Sequence, residues 1–360
     1  MTKDKGLRTK DTPFLPRLIA WEVTRSCPLA CKHCRAAARN QPYEGELTTD
    51  EGRRLLENIA SLARPTIILT GGEPMLREDI YDLASFADGL GLPVVMAPCG
   101  QQVDEAAVAR MKRAGIRSIS ISLDGASPEA HDAFRGVSGA FEMACRAAHA
   151  ARRGGLPFQV NTVVTRANRD ALPAIRDLAV RLGAEVFNPF LLVPTGRGKD
   201  LAGQELSPAE YERTLAWLAE AERDGPIRIR ATCAPHYSRV RAQRAARAGE
   251  TLDPPAPFSR GCMGGKTFAF ISHTGKVQIC GFLDLEAGDL RGVGLDFARI
   301  WRESPLFQAV RDVDAYGGRC GICEYRYVCG GCRARAYAFT GDYLAEEPFC
   351  VYQPRGEDSR

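Results

Sequence analysis

Three cysteines near the N-terminus form the pattern with the clearest chemical meaning. Cys27, Cys31 and Cys34 fall in one short loop, separated by three and then two residues. A structural zinc site usually takes four ligands in two pairs, and no fourth cysteine lies nearby. Three thiolates on an iron–sulfur cubane instead leave one iron open to a cofactor or substrate. The spacing therefore favours a reactive iron–sulfur cluster over a zinc site or a set of buried thiols.

A second and denser group of cysteines follows position 261. It comprises Cys262, Cys280, Cys320, Cys323, Cys329, Cys332 and Cys350. Paired C-x2-C units also bind zinc, so spacing alone leaves the metal open here. The N-terminus lacks the apolar segment of a signal peptide, and many cysteines in a reducing compartment indicate metal or redox chemistry before disulfides. We therefore expect a cytoplasmic protein with two metal-bearing regions, in which the isolated Cys99 and Cys145 are core thiols.

The composition excludes other classes of function. The 360 residues are 45% hydrophobic and 26% charged, as is usual for a globular protein. The formal net charge of +4 is too small to indicate nucleic-acid binding. No apolar run approaches the roughly 18 residues that a membrane span needs. We expect neither a nucleic-acid partner nor a membrane span.

The elements that must position the cysteines alternate regularly between position 17 and about position 230. Short apolar runs recur at 18–23, 66–69, 94–96, 118–121, 160–164 and 186–193. Stretches of helical period separate them, which predicts a parallel α/β sheet. This sheet is either a partial (β/α)6 TIM-type barrel or a doubly wound open sheet. Cys27, Gly71, Pro98 and Asp124 follow the first four strands, where a barrel places its active residues, so we favour the barrel.

The chain divides into three parts that differ in amino-acid composition. Residues 1–16 are charged, contain proline and are predicted to form a flexible arm. Residues 17–230 carry the predicted barrel. Residues 231–360 begin with a basic helical stretch and a proline-rich linker at 253–257, and then become rich in glycine and cysteine. Because this last part has few long apolar stripes, we expect bound metal to contribute to its stability.

The triple-cysteine loop after the first strand resembles the radical S-adenosylmethionine (SAM) superfamily. The resemblance implies a [4Fe–4S] cluster whose open iron chelates SAM and whose electron cleaves it to methionine and a 5′-deoxyadenosyl radical. It also implies a flavodoxin- or ferredoxin-type electron donor. His33 departs from the family pattern, in which an aromatic or apolar residue is usual, but its ring can still pack on the cluster. A non-catalytic iron–sulfur carrier is the alternative from another class.

Further motifs fit the same resemblance. The segment after the second strand resembles the family's GGEP motif and is implied to bind the SAM amino group: Gly71, Gly72, Glu73 and Pro74. Residues at the end of the fourth strand and on the fifth are implied to bind the nucleoside: Ser122, Asp124 and Asn161. Two glycines let a ligand approach the backbone, and a carboxylate can pair with an ammonium group. Ordinary turn and strand-end hydrogen bonding is the structural alternative.

The C-terminal cysteines resemble the SPASM extension of radical SAM enzymes, which carries up to two auxiliary [4Fe–4S] clusters. One cluster is implied at Cys320, Cys323, Cys329 and Cys350. The other has three evident ligands: Cys262, Cys280 and Cys332. Peptide-modifying members often have a further cysteine just before the position of Cys262, and this chain lacks it. Either Cys233 supplies the fourth ligand or one iron is open, and zinc remains the alternative for the whole region.

Several short segments of the sequence resemble the tetrapyrrole enzymes of the family. The segments that carry this likeness are 20–27, 31–36, 192–198, 279–282 and 330–336. We favour the haem b synthases of the siroheme-dependent pathway, which convert two propionates of iron-coproporphyrin III to vinyl groups. The alternatives are didecarboxysiroheme deacetylation, haem d1 biosynthesis and SPASM peptide maturation. A maturase often has an N-terminal domain that clasps its peptide, and the arm before Arg17 is too short to form one.

An iron-porphyrin with four carboxylates needs cationic side chains around it. Guanidinium groups match carboxylates in a two-pronged geometry. Within the tetrapyrrole-like segments, the candidates are Arg25, Arg35, Arg197, Arg333 and Arg335. A solvated charge or a structural ion pair is the alternative for each of them.

Overall fold

The computed structural model describes residues 14–249 and 261–355. Most of the predicted arm at 1–16 and the whole linker at 253–257 lie outside the described residues. One sheet runs through the described part, and its strands are β1 (Leu18–Thr24), β2 (Thr66–Gly71), β3 (Val94–Met96), β4 (Ile116–Ser122), β5 (Phe158–Val164), β6 (Val186–Leu191), β7 (Arg228–Ile229), β8 (Phe268–Ile271), β9 (Lys276–Gln278) and β10 (Gly288–Asp289).

The order of the strands confirms the barrel. Across the sheet they run β10-β9-β8-β1-β2-β3-β4-β5-β6-β7. Neighbours from β8 through β1 to β7 are parallel, whereas β9 is antiparallel to β8 and to β10. A doubly wound sheet reverses its strand order at a switch point, and β1 to β7 follow one another without reversal. Within the described residues β7 pairs only with β6, so the barrel is open.

Helices cover this sheet and follow the predicted periods. They are α1 (Thr49–Leu62), α2 (Ile80–Gly89), α3 (Glu105–Arg113), α4 (Pro128–Arg135), α5 (Ala140–Arg153), α6 (Leu172–Leu182), α7 (Pro208–Asp224), α8 (Tyr237–Ala248), α9 (Phe297–Glu303), α10 (Pro305–Arg311), α11 (Gly318–Ile322) and α12 (Arg333–Thr340). The capping boxes predicted at Thr48 and Ser207 are both formed. None of the helices in the described part combines the length and apolar character needed to cross a membrane.

The C-terminal region contributes a strand to the barrel sheet. β8 runs beside β1, with Leu18 opposite Phe268 and Trp21 opposite Ile271. β1 therefore lies between two parallel neighbours, and its residues after Leu18 are all buried. The sequence pattern assigned this strand to a separate metal domain. The structure joins it to the barrel through one sheet, and the division near position 230 stays a prediction.

Candidate active site

The loop between β1 and α1 holds the three N-terminal cysteines in an apolar setting. Cys27 and Cys31 are 7% and 8% exposed and pack with Leu29 and Ala38. Burial, reinforced by the neighbouring thiols, raises the pKa of the Cys27 thiol to about 12. A thiol here stays protonated unless a bound cation favours the thiolate. The donor set therefore fits an iron–sulfur cluster.

Arg197 fastens this loop to the segment after β6. Its Nε donates to Cys31 O at 2.8 Å and its Nη1 donates to Ala38 O at 2.6 Å. A Cβ on the preceding Gly196 would lie 2.1 Å from Arg35 O, so the close backbone contact requires glycine. Arg197 was predicted to contact the substrate. Its geometry gives it a role in positioning the cysteine loop.

Within the described residues, the cysteines do not form a compact site for a single metal ion. Among the described residues, no group of three or more His, Cys, Asp or Glu side chains could hold one metal ion. A zinc ion needs such a compact set of ligands.

Two glycines bring the end of β2 against the cysteine loop. Gly71 has a φ of +147°, and a Cβ there would lie 2.1 Å from Thr24 O. A Cβ on Gly72 would lie 2.2 Å from Ser26 O. Backbone hydrogen bonds close the same contact, from Gly72 N to Thr24 O at 2.9 Å and from Glu73 N to Ser26 O at 2.7 Å. Only glycine permits this approach, which sets Glu73 beside the loop.

The Glu73 carboxylate is buried and oriented by backbone donors. It is 1% exposed and accepts hydrogen bonds from Met75 N at 2.8 Å and from Cys99 N. Pro74 begins the short turn that carries Met75. Burial raises the pKa of Glu73, and the hydrogen bonds offset only part of that effect. A neighbouring ammonium group would stabilise the ionised carboxylate, so the site fits the amino group of SAM.

Asp124, just after β4, is engaged by Arg135, a residue that sequence reasoning missed. Arg135 Nη2 lies 2.6 Å from Asp124 Oδ2, and Val163 N donates to Asp124 Oδ1 at 2.7 Å. Burial would raise the pKa of Asp124, but the charge of Arg135 lowers it. Arg135 also directs Nη1 at Cys31 Sγ, 3.5 Å away. Asp124 thus holds Arg135 against the cysteine loop, and its contact with ribose stays a prediction.

His33 lies against α4. Its ring stacks on Phe134 with centroids 4.7 Å apart, and Lys32 N donates to Phe134 O at 3.1 Å. Burial lowers the pKa of His33 to about 4, so the imidazole is neutral near pH 7. The ring therefore serves as an aromatic face on this loop.

Ser122 and Asn161 lie opposite each other on β4 and β5. Asn161 Oδ1 accepts from Gln159 Nε2 at 2.9 Å and from Asn188 Nδ2 at 3.1 Å. Thr232 Oγ1 then donates to Asn188 Oδ1 at 2.7 Å. Asn188 was missed, although an asparagine within the apolar β6 is a visible signal. These amides form a polar row across the strands, and nucleoside binding by Ser122 and Asn161 stays a prediction.

Four C-terminal cysteines line one cavity. They are the four predicted to hold one auxiliary cluster, Cys320, Cys323, Cys329 and Cys350. Two guanidinium groups lie against their thiols. Arg239 Nη2 is 4.0 Å from Cys350 Sγ, and Arg333 Nη2 is 3.8 Å from Cys320 Sγ. Four thiols around one cavity with balancing positive charge form a donor set that fits a cubane cluster.

The thiols of the other three predicted ligands influence one another electrostatically. The Cys280 thiol interacts with the thiols of Cys262 and Cys332, and burial raises its pKa. Cys262 N donates to Cys329 O at 3.2 Å, so this group adjoins the cavity of the first four. The thiol of Cys233 interacts with this group as well.

Arg25 and Arg35 share one buried carboxylate, Glu22 on β1. Arg25 Nε lies 3.0 Å from Glu22 Oε1 and Arg35 Nη2 lies 2.7 Å from Glu22 Oε2. His273 Nδ1 also lies 2.8 Å from Glu22 Oε1. Burial would raise the pKa of Glu22, but His273 and the two arginines lower it to about 2. Two permanent positive charges therefore face one negative charge at this end of β1.

Arg333 and Arg335 were predicted to contact the substrate, and the structure places both in the interior. Each is 0% exposed. Arg333 Nη1 donates to Ala345 O at 2.7 Å, and Arg335 Nη2 donates to Leu192 O at 3.0 Å. Their donors are committed to backbone carbonyls, which argues against substrate contact. Arg335 instead ties α12 to the segment that follows β6.

Comparison with known proteins decides the family. The family model of the radical SAM superfamily matches residues 21–179. The chain is also 48% identical to an AdoMet-dependent heme synthase of Nitratidesulfovibrio vulgaris, covering 94% of this chain and 93% of the relative. The chain belongs to the radical SAM superfamily. It is a radical SAM enzyme, which sets aside the non-catalytic carrier, and it uses SAM and a [4Fe–4S] cluster.

Two further similarities bear on this radical SAM enzyme. A pre-heme d1 synthase of Dinoroseobacter shibae is 30% identical, covering 92% of this chain and 85% of the relative. The crystal structure of Streptococcus suis SuiB bound to S-adenosylmethionine has a TM-score of 0.74 and 16% identity, covering 94% of this chain and 78% of that chain. At that identity the likeness to SuiB establishes the fold alone.

Proposed function

We propose that this radical SAM enzyme forms haem b by oxidative decarboxylation of two propionates of iron-coproporphyrin III to vinyl groups. The observation that carries the proposal is the 48% identity to the heme synthase over nearly the whole chain. The pre-heme d1 synthase is much less similar, so a haem d1 reaction is the weaker alternative. Didecarboxysiroheme deacetylation and peptide maturation are the remaining alternatives, and the likeness to SuiB supports only a shared fold.

The loop with Cys27, Cys31 and Cys34 would hold the cluster that binds SAM. When bound together, cluster and SAM supply a 5′-deoxyadenosyl radical, which takes a hydrogen atom from the substrate. Glu73 would receive the SAM ammonium group, because its carboxylate is buried and is oriented by the N–H groups of Met75 and Cys99. The apolar residues around the cysteines exclude water and so protect the radical.

Arg25 and Arg35 would receive propionates of the substrate. They face a single carboxylate, Glu22, and their side chains remain 32% and 20% exposed. A guanidinium group has five N–H donors, so each arginine can keep its bond to Glu22 and still bind a carboxylate. Arg35 also lies over the ring of Phe270, 4.3 Å from its centroid. Cationic and aromatic groups side by side suit a porphyrin with acidic substituents.

Each decarboxylation releases an electron that the enzyme must accept. Removal of a hydrogen atom leaves a radical on the propionate β-carbon. The bond to the carboxylate carbon then breaks, CO2 leaves, a vinyl group forms and one electron remains. We propose that residues 231–360 form a SPASM region and that the cavity of Cys320, Cys323, Cys329 and Cys350 holds the acceptor cluster. Arg239 and Arg333 beside these thiols would favour uptake of a negative charge.

An anaerobic assay with purified porphyrins tests the proposal. The reconstituted enzyme is incubated with SAM, a flavodoxin or chemical reductant, and either iron-coproporphyrin III or didecarboxysiroheme. We expect mass spectrometry to find loss of two carboxyl groups from iron-coproporphyrin III, through a monovinyl intermediate. Conversion of didecarboxysiroheme with no change in iron-coproporphyrin III would reject the proposed reaction and favour the deacetylase.

A further inference from the structure

Cys233 occupies an unusual place between β7 and α8. Its φ is +57°, in the left-handed region that residues with side chains rarely adopt. Arg335 Nη1 holds this turn by donating to Cys233 O at 2.9 Å. Arg335 Nη1 also lies 3.4 Å from Glu347 Oε2, which accepts from Cys332 N at 2.8 Å. One buried ion pair therefore fixes the backbones of Cys233 and Cys332 together.

The thiols of these two residues belong to a connected set of four. Cys233 interacts directly with Cys332 and electrostatically with Cys280. Cys280 in turn interacts with Cys262 and Cys332. Three of these four cysteines are the evident ligands of the second auxiliary cluster, and the group lacks a cysteine just before Cys262. The turn at Cys233 brings a thiol to that incomplete set from a distant part of the chain.

We propose that Cys233 is the fourth protein ligand of a second auxiliary [4Fe–4S] cluster, together with Cys262, Cys280 and Cys332. The inference rests on the proposed function only in placing auxiliary clusters in this region. Four thiolates occupy all four irons of a cubane, so this cluster has no open position for SAM or for the porphyrin. It is then an electron carrier between the active site and the adjoining cavity of Cys320, Cys323, Cys329 and Cys350.

Selective loss of one iron tests this ligand. The full-length chain with Cys27, Cys31 and Cys34 changed to alanine serves as parent, because the SAM-binding cluster would itself lose iron. After anaerobic reconstitution, iron content is measured and EPR spectra are recorded before and after mild oxidation. We expect about eight irons per parent chain and no [3Fe–4S] signal after oxidation. Cys233→Ala in this parent should either give a [3Fe–4S] signal or lose about four irons.

Cys145→Ala is the matched control, since Cys145 is another isolated cysteine, on α5, and it should leave iron and EPR spectra unchanged. A [3Fe–4S] signal from the parent itself would overturn the proposal, because it reveals an iron without a thiolate. The same holds if the parent binds only about four irons, or if Cys233→Ala matches the parent. These two parent measurements can overturn the proposal even if Cys233→Ala fails to fold. Porphyrin conversion is assayed separately with the intact enzyme, so failure of the proposed function and failure of this ligand are told apart.

Discussion

The two cysteine regions of this enzyme are built differently. In the N-terminal loop three thiols lie within eight residues, packed among apolar side chains, and one arginine, Arg135, approaches them. In the C-terminal region thiols from distant segments meet around a cavity, and buried arginines such as Arg239 and Arg333 lie against them. The first arrangement leaves an open corner for a ligand. The second places positive charge beside its thiols, which suits the electron acceptor that we propose there.

Removing the N-terminal thiols should have the largest effect. With Cys27, Cys31 and Cys34 changed to alanine, we expect complete loss of 5′-deoxyadenosine formation, because no site for SAM remains, while the C-terminal iron is retained. Liquid chromatography and iron analysis measure the two quantities. Cys145→Ala is a suitable control, since Cys145 is an isolated cysteine on α5. Retained SAM cleavage in the triple variant would falsify the assignment of the active site.

Loss of the cluster proposed at Cys320, Cys323, Cys329 and Cys350 should separate SAM cleavage from formation of the vinyl product. Cys350→Ser should preserve 5′-deoxyadenosine formation while vinyl product falls at least tenfold, because the electron released with CO2 has no acceptor. Both products are counted in the same reaction, and circular dichroism verifies folding. Cys145→Ser is the control. Normal product from a folded variant that lacks this cluster would move the acceptor role to the cluster of Cys262, Cys280 and Cys332.

The ion pair between Asp124 and Arg135 should matter chiefly for stability. Asp124→Asn leaves a buried arginine unpaired, so we expect the free energy of unfolding to fall by about 3–5 kcal/mol. The pKa of Asp124 is lowered on folding, hence its contribution is full above its unfolded pKa of about 3.9 and is lost as pH falls through the folded value.

Urea unfolding curves at pH 7 and at a pH below the unfolded pKa of about 3.9 measure this. The difference in the free energy of unfolding between wild type and variant should shrink at the lower pH. Asp177→Asn, at a half-exposed pair with Arg176, is the control and should change little. A variant as stable as wild type at pH 7 would reassign Asp124 to ligand binding.

Glu73 should affect SAM affinity without affecting the cluster. Glu73→Gln keeps the shape and removes the charge, so SAM binding should weaken by about 1–3 kcal/mol, roughly 5- to 150-fold. Anaerobic titration calorimetry measures the affinity, and iron analysis should find no change. Glu78→Gln, at an exposed glutamate that follows the same motif, serves as control. Equal SAM affinities in both variants would leave Glu73 a structural role only.

The smallest expected effect is a shift in the reduction potential of the cluster proposed at Cys320, Cys323, Cys329 and Cys350. Arg239→Gln removes a positive charge 4.0 Å from Cys350 Sγ, so the reduction potential of that cluster should become more negative. EPR-monitored redox titration measures the shift, and 5′-deoxyadenosine formation should be unaffected. Arg241→Gln, on the same helix and paired with Glu222, is the matched control. An unchanged potential would mean that Glu212 already neutralises Arg239.

Local signals in the sequence predicted much of this fold. Strand periods, the capping boxes at Thr48 and Ser207, and the glycines at 71 and 72 act within a few residues, so they are legible without a structure. Arg135 and Arg335 act on partners more than a hundred residues away, and nothing in their neighbourhood indicates those partners. Arg335 is buried and bound to backbone carbonyls and to the Glu347 carboxylate, partners that composition does not reveal, and its predicted contact with substrate stays a prediction. A hairpin between Cys262 and Cys280 was predicted, and β8 and β9 form it. The pairing of β8 with β1 was missed for the same reason of distance.

The pairing of β1 with β8 has a consequence for synthesis of the chain. Leu18 pairs with Phe268, which is synthesised 250 residues later. The edge of β1 that faces β8 therefore stays unpaired until then. At about 5–20 residues per second, that edge stays open for roughly 12 to 50 seconds on the ribosome. Unpaired edges of apolar strands associate readily with other chains. A nascent chain that stalls before β8 would therefore be prone to aggregate, whatever iron it has acquired.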